Sequence, residues 1–261
     1  MKIKLNAFTM AYTDVGVGAP LLFIHGFPLN RRMWEPQVSE LAQVGRVLAP
    51  DLRGHGDSPP LPGPYEMDLL AADLNAFLDA LSIGEPVVLC GLSMGGYVAL
   101  EVMRQAPERI ERFALLDTTA RPDTDEQKRR RRGLLSLADK GQFKGVPPRL
   151  LPLLLSKRFL EVEAVTSVVM AMAERVGKEA FKGQQRAIMN RPDSRPLLPG
   201  IKVPTLILCG TEDALTPPDR HKEMAEVIPD ADLVILGGAG HLAPLERPDA
   251  VTRALRAWLR R

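Results

Sequence analysis

The sequence predicts an α/β fold built on a mostly parallel sheet, and two observations carry that expectation. Short apolar runs recur at 21–24, 47–49, 87–90, 113–116, 205–208 and 233–236, the continuous pattern of strands buried on both faces. Between them lie segments whose apolar residues fall at helical spacing, the alternation of a sheet covered by helices.

The elements follow in order. Residues 2–13 alternate more loosely and suit an antiparallel hairpin at one edge of the sheet. Between 67 and 81, Met67, Leu70, Leu74, Phe77, Leu78 and Leu81 recur with the period of a helix. After Pro248, a residue well tolerated at a helix start, Val251, Leu255, Trp258 and Leu259 share one face of a last helix. The alternation fails over 122–196, which has helical patterns, at 162–172 and 178–189, but no strand-like run. The expected organisation is a core of residues 1–121 and 197–261 with a helical lid insertion at 122–196. A lid is the natural use of such an insertion, because ligands bind beyond the carboxyl ends of parallel strands. Of its apolar residues Leu150, Leu153, Leu154, Val169 and Met172, most should pack the lid and a few should line a pocket.

Composition narrows the class of function. With 261 residues, 45% hydrophobic and 25% charged, the chain has an ordinary soluble composition and can bury a sizeable core. A net charge of +2 provides no global field for nucleic acid or membrane. The first residues lack the apolar run of a signal peptide, and no apolar stretch is long enough to span a bilayer. Cys90 and Cys209 each end an apolar run, which favours buried reduced thiols, and a cytoplasmic address is expected.

The chemistry begins at Gly91-Leu92-Ser93-Met94-Gly95-Gly96, between a strand and a helix expected to start near Gly96. This is a nucleophile-elbow pattern in the context it requires. A strained serine needs small neighbours two residues away on each side, and Gly91 and Gly95 supply them. A serine at a helix N-terminus also sets the Met94 amide where it can face a developing oxyanion.

Serine needs a base, and the chain has four histidines. His241 follows the run 233–236 and a Gly-rich turn, at a strand's carboxyl end and on the same rim as Ser93. His25 and His55 precede the serine and are expected to be structural. His221, among Asp219, Arg220, Lys222 and Glu223, is expected on an exposed helix. The orienting acid should follow another strand between Ser93 and His241, the order this fold imposes. Asp213, in Gly210-Thr211-Glu212-Asp213, is the first choice, with Asp117 its competitor; a helix cap is the plainer use of Asp213. The second oxyanion donor should lie in His25-Gly26-Phe27-Pro28-Leu29; Pro28 has no N–H, so the Phe27 amide is the candidate. The stretch 51–58, with a single histidine, suits a loop buttressing the site better than a metal site. The run Lys128 to Arg132, preceded by Asp123, Asp125 and Glu126, reads as a solvated lid helix.

At these residues the sequence resembles the α/β-hydrolase superfamily over nearly its whole length. The carriers are His25-Gly26-Phe27-Pro28, Asp51-Leu52-Arg53-Gly54-His55-Gly56-Asp57-Ser58, the Ser93 motif, Gly210-Thr211-Glu212-Asp213 and Gly240-His241. Within it the chain is similar to small-lid carboxylesterases, cofactor-free perhydrolases and enol-lactonases. The resemblance implies an eight-stranded sheet, helices on both faces and a helical lid. Haloalkane dehalogenases and epoxide hydrolases carry Asp where this chain has Ser93, which disfavours their chemistry. The expected activity is hydrolysis of small or medium acyl esters by Ser93, His241 and Asp213, with no metal or organic cofactor. The expected partner is a small-molecule ester or lactone, not nucleic acid or a membrane. A lactonase would need a lid cation for the substrate's free carboxylate, with Arg149, Arg158 and Arg186 as candidates. A C–C hydrolase or lyase could use the same residues, and a ligand receptor on the same scaffold would show slow single-turnover hydrolysis.

Overall fold

The computed structural model describes residues 1–63, 65–141 and 150–261. One eight-stranded sheet runs through it: β1 (Lys2–Lys4), β2 (Thr9–Val15), β3 (Pro20–Ile24), β4 (Arg46–Pro50), β5 (Val87–Leu92), β6 (Ile110–Leu116), β7 (Thr205–Gly210) and β8 (Ala231–Leu236). Their order across the sheet is β1-β2-β4-β3-β5-β6-β7-β8. β2 is antiparallel to both β1 and β4, and β4 onward is parallel. The expected edge hairpin and parallel strands are therefore present, with β2 two residues longer than the pattern suggested.

The continuous apolar runs are explained by a two-sided core. Along β3, Leu22 and Ile24 pack into one layer while Leu21 and Phe23 pack into the other. β5 divides Leu89 from Val88 and Cys90, and β6 divides Phe113 and Leu115 from Ala114 and Leu116, by the same two-residue period. The first layer is closed by α2 (Met67–Ala80), α3 (Met94–Gln105) and α8 (Pro218–Val227), through residues such as Leu74, Val98 and Met224. The second is closed by α1 (Glu35–Leu41), the short α9 (Ala243–Glu246) and α10 (Pro248–Leu259), through Leu41, Ala243, Val251, Leu255 and Trp258. Cys90 and Cys209 are buried and free, and burial pushes the Cys209 thiol up to about 12.

Between β6 and β7 the described residues form α4 (Asp125–Asp139), α5 (Leu151–Leu154), α6 (Glu163–Ala173) and α7 (Lys178–Asn190), and no strand. Thr124 starts α4 with a capping box, its hydroxyl accepting from Gln127 N and its own N–H donating to Gln127 Oε1. Val169 and Met172 of α6 join the second core layer together with Leu154, and Leu150, Leu153 and Leu154 line a cavity. Among the described residues no helix is long and apolar enough to cross a membrane.

The loop after β4 is held by charge. Asp51 is fully buried and accepts from Arg31 N, the Arg31 guanidinium and Asp57 N. Arg53 forms a two-pronged ion pair with Asp73 of α2, 2.5 Å on each arm, and lies over the rings of Phe8 and Tyr65. Breaking a buried pair from one side leaves an uncompensated charge, at a cost of about 3–5 kcal/mol. Asp73→Ala should therefore lower the thermal unfolding midpoint by roughly 2–4 °C for each kcal/mol lost. Arg53→Met combined with Asp73→Leu should recover most of it. An unchanged midpoint in Asp73→Ala would show that the pair contributes no more than a surface one.

Candidate active site

Ser93 sits at the turn from β5 into α3 with φ 54° and ψ −117°, a conformation that costs a non-glycine residue about 1–3 kcal/mol. The chain can make this turn because its neighbours have no side chain. A Cβ on Gly91 would lie 2.4 Å from Gly95 O, and one on Gly95 would lie 2.3 Å from Ile24 O. The helix begins at Met94, two residues before the glycine run suggested. The Ser93 N–H donates to Leu116 O at 3.0 Å, and Thr118 Oγ1 donates to Ser93 O at 2.8 Å.

His241 and Asp213 come to this serine from the ends of β8 and β7. Ser93 Oγ and His241 Nε2 are 2.7 Å apart, and both Asp213 oxygens are 2.9 Å from His241 Nδ1. Nδ1 thus carries a proton toward the carboxylate, leaving Nε2 to accept from the serine hydroxyl. Asp213 also accepts from Leu215 N, Thr216 N and the Thr216 hydroxyl. It is a turn cap and a partner of His241 at once. Burial alone would raise its carboxyl, but the His241 charge and the hydrogen bonds from His241 and Thr216 outweigh it and hold it below its ordinary value. Glu212 is exposed.

The competitor, Asp117, is also fully buried but is used differently. Its oxygens accept from Gly210 N (3.0 Å) and Ala243 N (3.3 Å), bridging the loops that carry Asp213 and His241. Burial, and then the Asp213 charge, push its carboxyl well above the ordinary range. Glu246 has a similar office: it accepts from Gly240 N, Leu242 N and Ser156 N, pinning the His241 loop to the insertion. The sequence reading missed Glu246 and Thr216. Thr216 stood three residues after an acid, the spacing of a cap, but Glu246 carried no local signal.

The other histidines are buried and neutral. His25 Nε2 accepts from Leu52 N at 3.0 Å, so Nδ1 carries the proton and donates to Gly26 O at 3.0 Å. That carbonyl shares a planar peptide with the Phe27 N–H, so His25 fixes where the Phe27 N–H points. Gly26 is needed less for its turn than for space, since a Cβ there would lie 3.1 Å from that of Ser93. Among the described residues neither the Phe27 nor the Met94 N–H donates a hydrogen bond. His221 corrects the expectation of an exposed helix: it is 0% exposed. His221 and Met224 form the inward stripe of α8, while Asp219 and Lys222 face solvent. Its Nε2 accepts from Thr118 N at 3.0 Å, bracing the residue that holds Ser93.

Ser93 and His241 open on a cavity of about 850 Å³. Phe27, Leu134, Leu150, Leu153 and Phe181 give it apolar walls. Its cations are Arg130, Arg131 and Arg191. Arg158 instead lies over the Phe159 ring, Arg186 is absent from the lining, and Arg149 lies outside the described residues. The basic run on α4 is solvated except at Arg131, which turns inward to Asp123 and Gln185.

Burial lowers the proton affinity of His25, His55 and His221, with His221 pushed down to about 4. In the unfolded chain each takes a proton near the ordinary value of about 6.5. Between that value and the folded one the unfolded state binds more protons, so stability falls as pH falls. Each histidine contributes a slope of up to about 1.4 kcal/mol per pH unit. Urea unfolding from pH 7 to pH 4 should show this loss, and His221→Gln should flatten it; identical slopes in both proteins would exclude His221 as a source.

Comparison with known proteins agrees with this frame. The family model for the alpha/beta hydrolase fold matches residues 19–248. An AB hydrolase superfamily protein of Bacillus subtilis, YisY, is 32% identical over 93% of this chain and 92% of its own. A thermophilic esterase from Thermogutta terrifontis, solved with malate bound, superposes with a TM-score of 0.94 at 38% identity, covering 100% of this chain and 97% of that one. The enol-lactonase from Burkholderia xenovorans superposes with a TM-score of 0.87 at 32% identity and covers 100% of both chains. Likeness of this extent, on a sheet of this order, places the chain in the α/β-hydrolase fold family, to which it belongs.

Proposed function

We propose that this protein is a serine hydrolase that cleaves carboxylic esters of small or medium acyl chain through an acyl-enzyme. The observation that carries the reading is the 2.7 Å contact of Ser93 Oγ with a His241 imidazole whose other nitrogen is held by Asp213. Ser93 Oγ attacks the ester carbonyl as His241 Nε2 takes its proton, and Asp213 stabilises the imidazolium and fixes its tautomer. The Phe27 and Met94 N–H groups receive the oxyanion; both line the same cavity as Ser93 and neither has another acceptor among the described residues. His241 then protonates the departing alcohol and draws a proton from the water that releases the acid. Residues 122–196 act as a lid, with the core in 1–121 and 197–261. The likeness to the Thermogutta esterase supports this reading. A second reading, hydrolysis of a lactone by the same residues, is favoured by the guanidiniums in the cavity and by the likeness to the Burkholderia enol-lactonase.

A screen of p-nitrophenyl esters of graded length beside simple lactones separates the two readings. Ser93→Ala should lose on the order of 10⁶ in kcat and should escape labelling by a phosphonate that modifies the wild type. Turnover retained in that variant would end the mechanism. Asp213→Asn should keep the fold and lose about 10⁴ in kcat, because the imidazole tautomer is wrong. Asp117→Asn should lose far less in kcat, and the opposite ranking would move the acid's role to Asp117.

The cavity walls should set chain-length preference. A methylene of contact is worth about 1–3 kcal/mol, or ~10–200-fold in rate. Leu150→Ala and Leu153→Ala should reorder kcat/KM among acetate, butyrate and octanoate esters. If every folded truncation kept the wild-type order, the acyl pocket would have to be built from the core.

A further inference from the structure

The proposed lid is also joined to the core away from the cavity. Gln184, on α7, is fully buried and is not part of the cavity lining. Its Nε2 donates to Gly54 O at 3.3 Å and to His55 Nδ1 at 3.0 Å, both in the loop after β4. Small residues let the helix come this close. A Cβ on Gly183 would lie 2.6 Å from the Tyr65 ring, and one on Gly54 would lie 2.8 Å from Ala180 Cβ. Gln184 Oε1 meets no donor among the described residues. A methionine would fill the same space and leave no polar atom unpaired, so packing alone does not call for an amide here.

From His55 a continuous path leads to the Phe27 N–H. The His55 N–H donates to Leu52 O at 2.9 Å, and the Leu52 N–H donates to His25 Nε2 at 3.0 Å. His25 Nδ1 donates to Gly26 O, in the peptide that carries the Phe27 N–H. The two imidazoles also meet edge to face, their centroids 4.6 Å apart. α7 reaches Phe27 directly as well: the ring of Phe181, three residues before Gln184, is 5.9 Å from the Phe27 ring. We infer that Gln184 is a positioning residue for the oxyanion donor, holding the Phe27 N–H in place through His55, Leu52 and His25. The inference rests on the proposed serine-hydrolase reading. It adds that the insertion sets the rate of the chemical step as well as the choice of substrate. An oxyanion donor acts only where the charge develops, so a small displacement of Phe27 is felt in kcat before it is felt in binding.

Gln184→Met keeps the volume and removes both donated bonds, while His55→Phe keeps a ring against His25 and removes the acceptor. Each should lower kcat for p-nitrophenyl butyrate by about tenfold, part of the loss on the order of 10²–10³ that follows removal of a whole oxyanion donor. KM should stay within about twofold, because binding of the ground state is untouched. A trifluoromethyl ketone, whose adduct with Ser93 carries an oxyanion, should bind more weakly by the same factor as kcat. The double variant should lose no more than either single one, since both cut one path. Met172→Ala, a buried truncation on α6 outside the cavity lining, is the control and should lower thermal stability with kcat unchanged. Should Gln184→Met fail to fold, His55→Phe carries the test from the side of the loop. An unchanged kcat, a loss confined to KM, multiplying losses in the double variant, or an equal loss in Met172→Ala would overturn the inference. If wild type turns over no ester and phosphonate fails to label Ser93, the hydrolase reading fails instead. The ¹⁵N resonance of the Phe27 amide then decides the positioning alone: a shift in Gln184→Met or His55→Phe that Met172→Ala does not share supports it, and an unmoved resonance ends it.

Discussion

The backbone at Ser93 is the constraint from which the rest of the site follows. A residue with φ 54° and ψ −117° is not stable in isolation, so the surrounding structure must over-determine it. Gly91 and Gly95 let β3, β5 and α3 approach within contact of one another. Thr118 holds the Ser93 carbonyl, His221 holds the Thr118 amide, and Leu116 O takes the Ser93 N–H. The reward is a hydroxyl lifted clear of the sheet, with the N-terminus of α3 directly behind it. The strain is thus borne by three strands and two helices packed in two core layers.

A second tier of buried polar groups positions His241 and Asp213 in the same way. Asp117 bridges the two loops, Glu246 caps the backbone around Gly240, and Thr216 closes on Asp213. His25 extends this tier across the site by fixing the peptide plane that carries the Phe27 N–H. Buried polar groups are costly unless every one is satisfied. That cost makes the arrangement all-or-none, and it favours one geometry over many.

The sheet was legible because its signal is local. Each parallel strand is apolar on both faces, so 21–24, 87–90 and 113–116 announce themselves without reference to the rest of the chain. Ser93, His241 and Asp213 were also legible as candidates, because each follows such a run within a short, glycine-bearing turn, and the structure brings Ser93 and Asp213 each within hydrogen-bond distance of His241. What escaped was burial decided by distant partners. His221 sits among four charged residues and reads as exposed, yet its helix turns it, not them, toward Thr118 of β6's following loop. Arg131 reads as one of five basic residues on a wet helix, yet Asp123 and Gln185 draw it inward. Arg158 and Arg186 lie outside the cavity lining for a related reason: periodicity ranks faces of a helix but does not say which neighbour will draw a side chain inward.

The two cysteines have a practical consequence. Both are buried, and burial holds their thiols in the protonated form at neutral pH. The thiolate is the form that alkylating reagents attack, so the native protein is chemically silent to maleimides while folded. A cysteine placed at Arg129, exposed on α4, would then be the one thiol a fluorophore reaches. The position of that helix over the cavity could be followed by light, in a protein that needs no prior removal of its own cysteines.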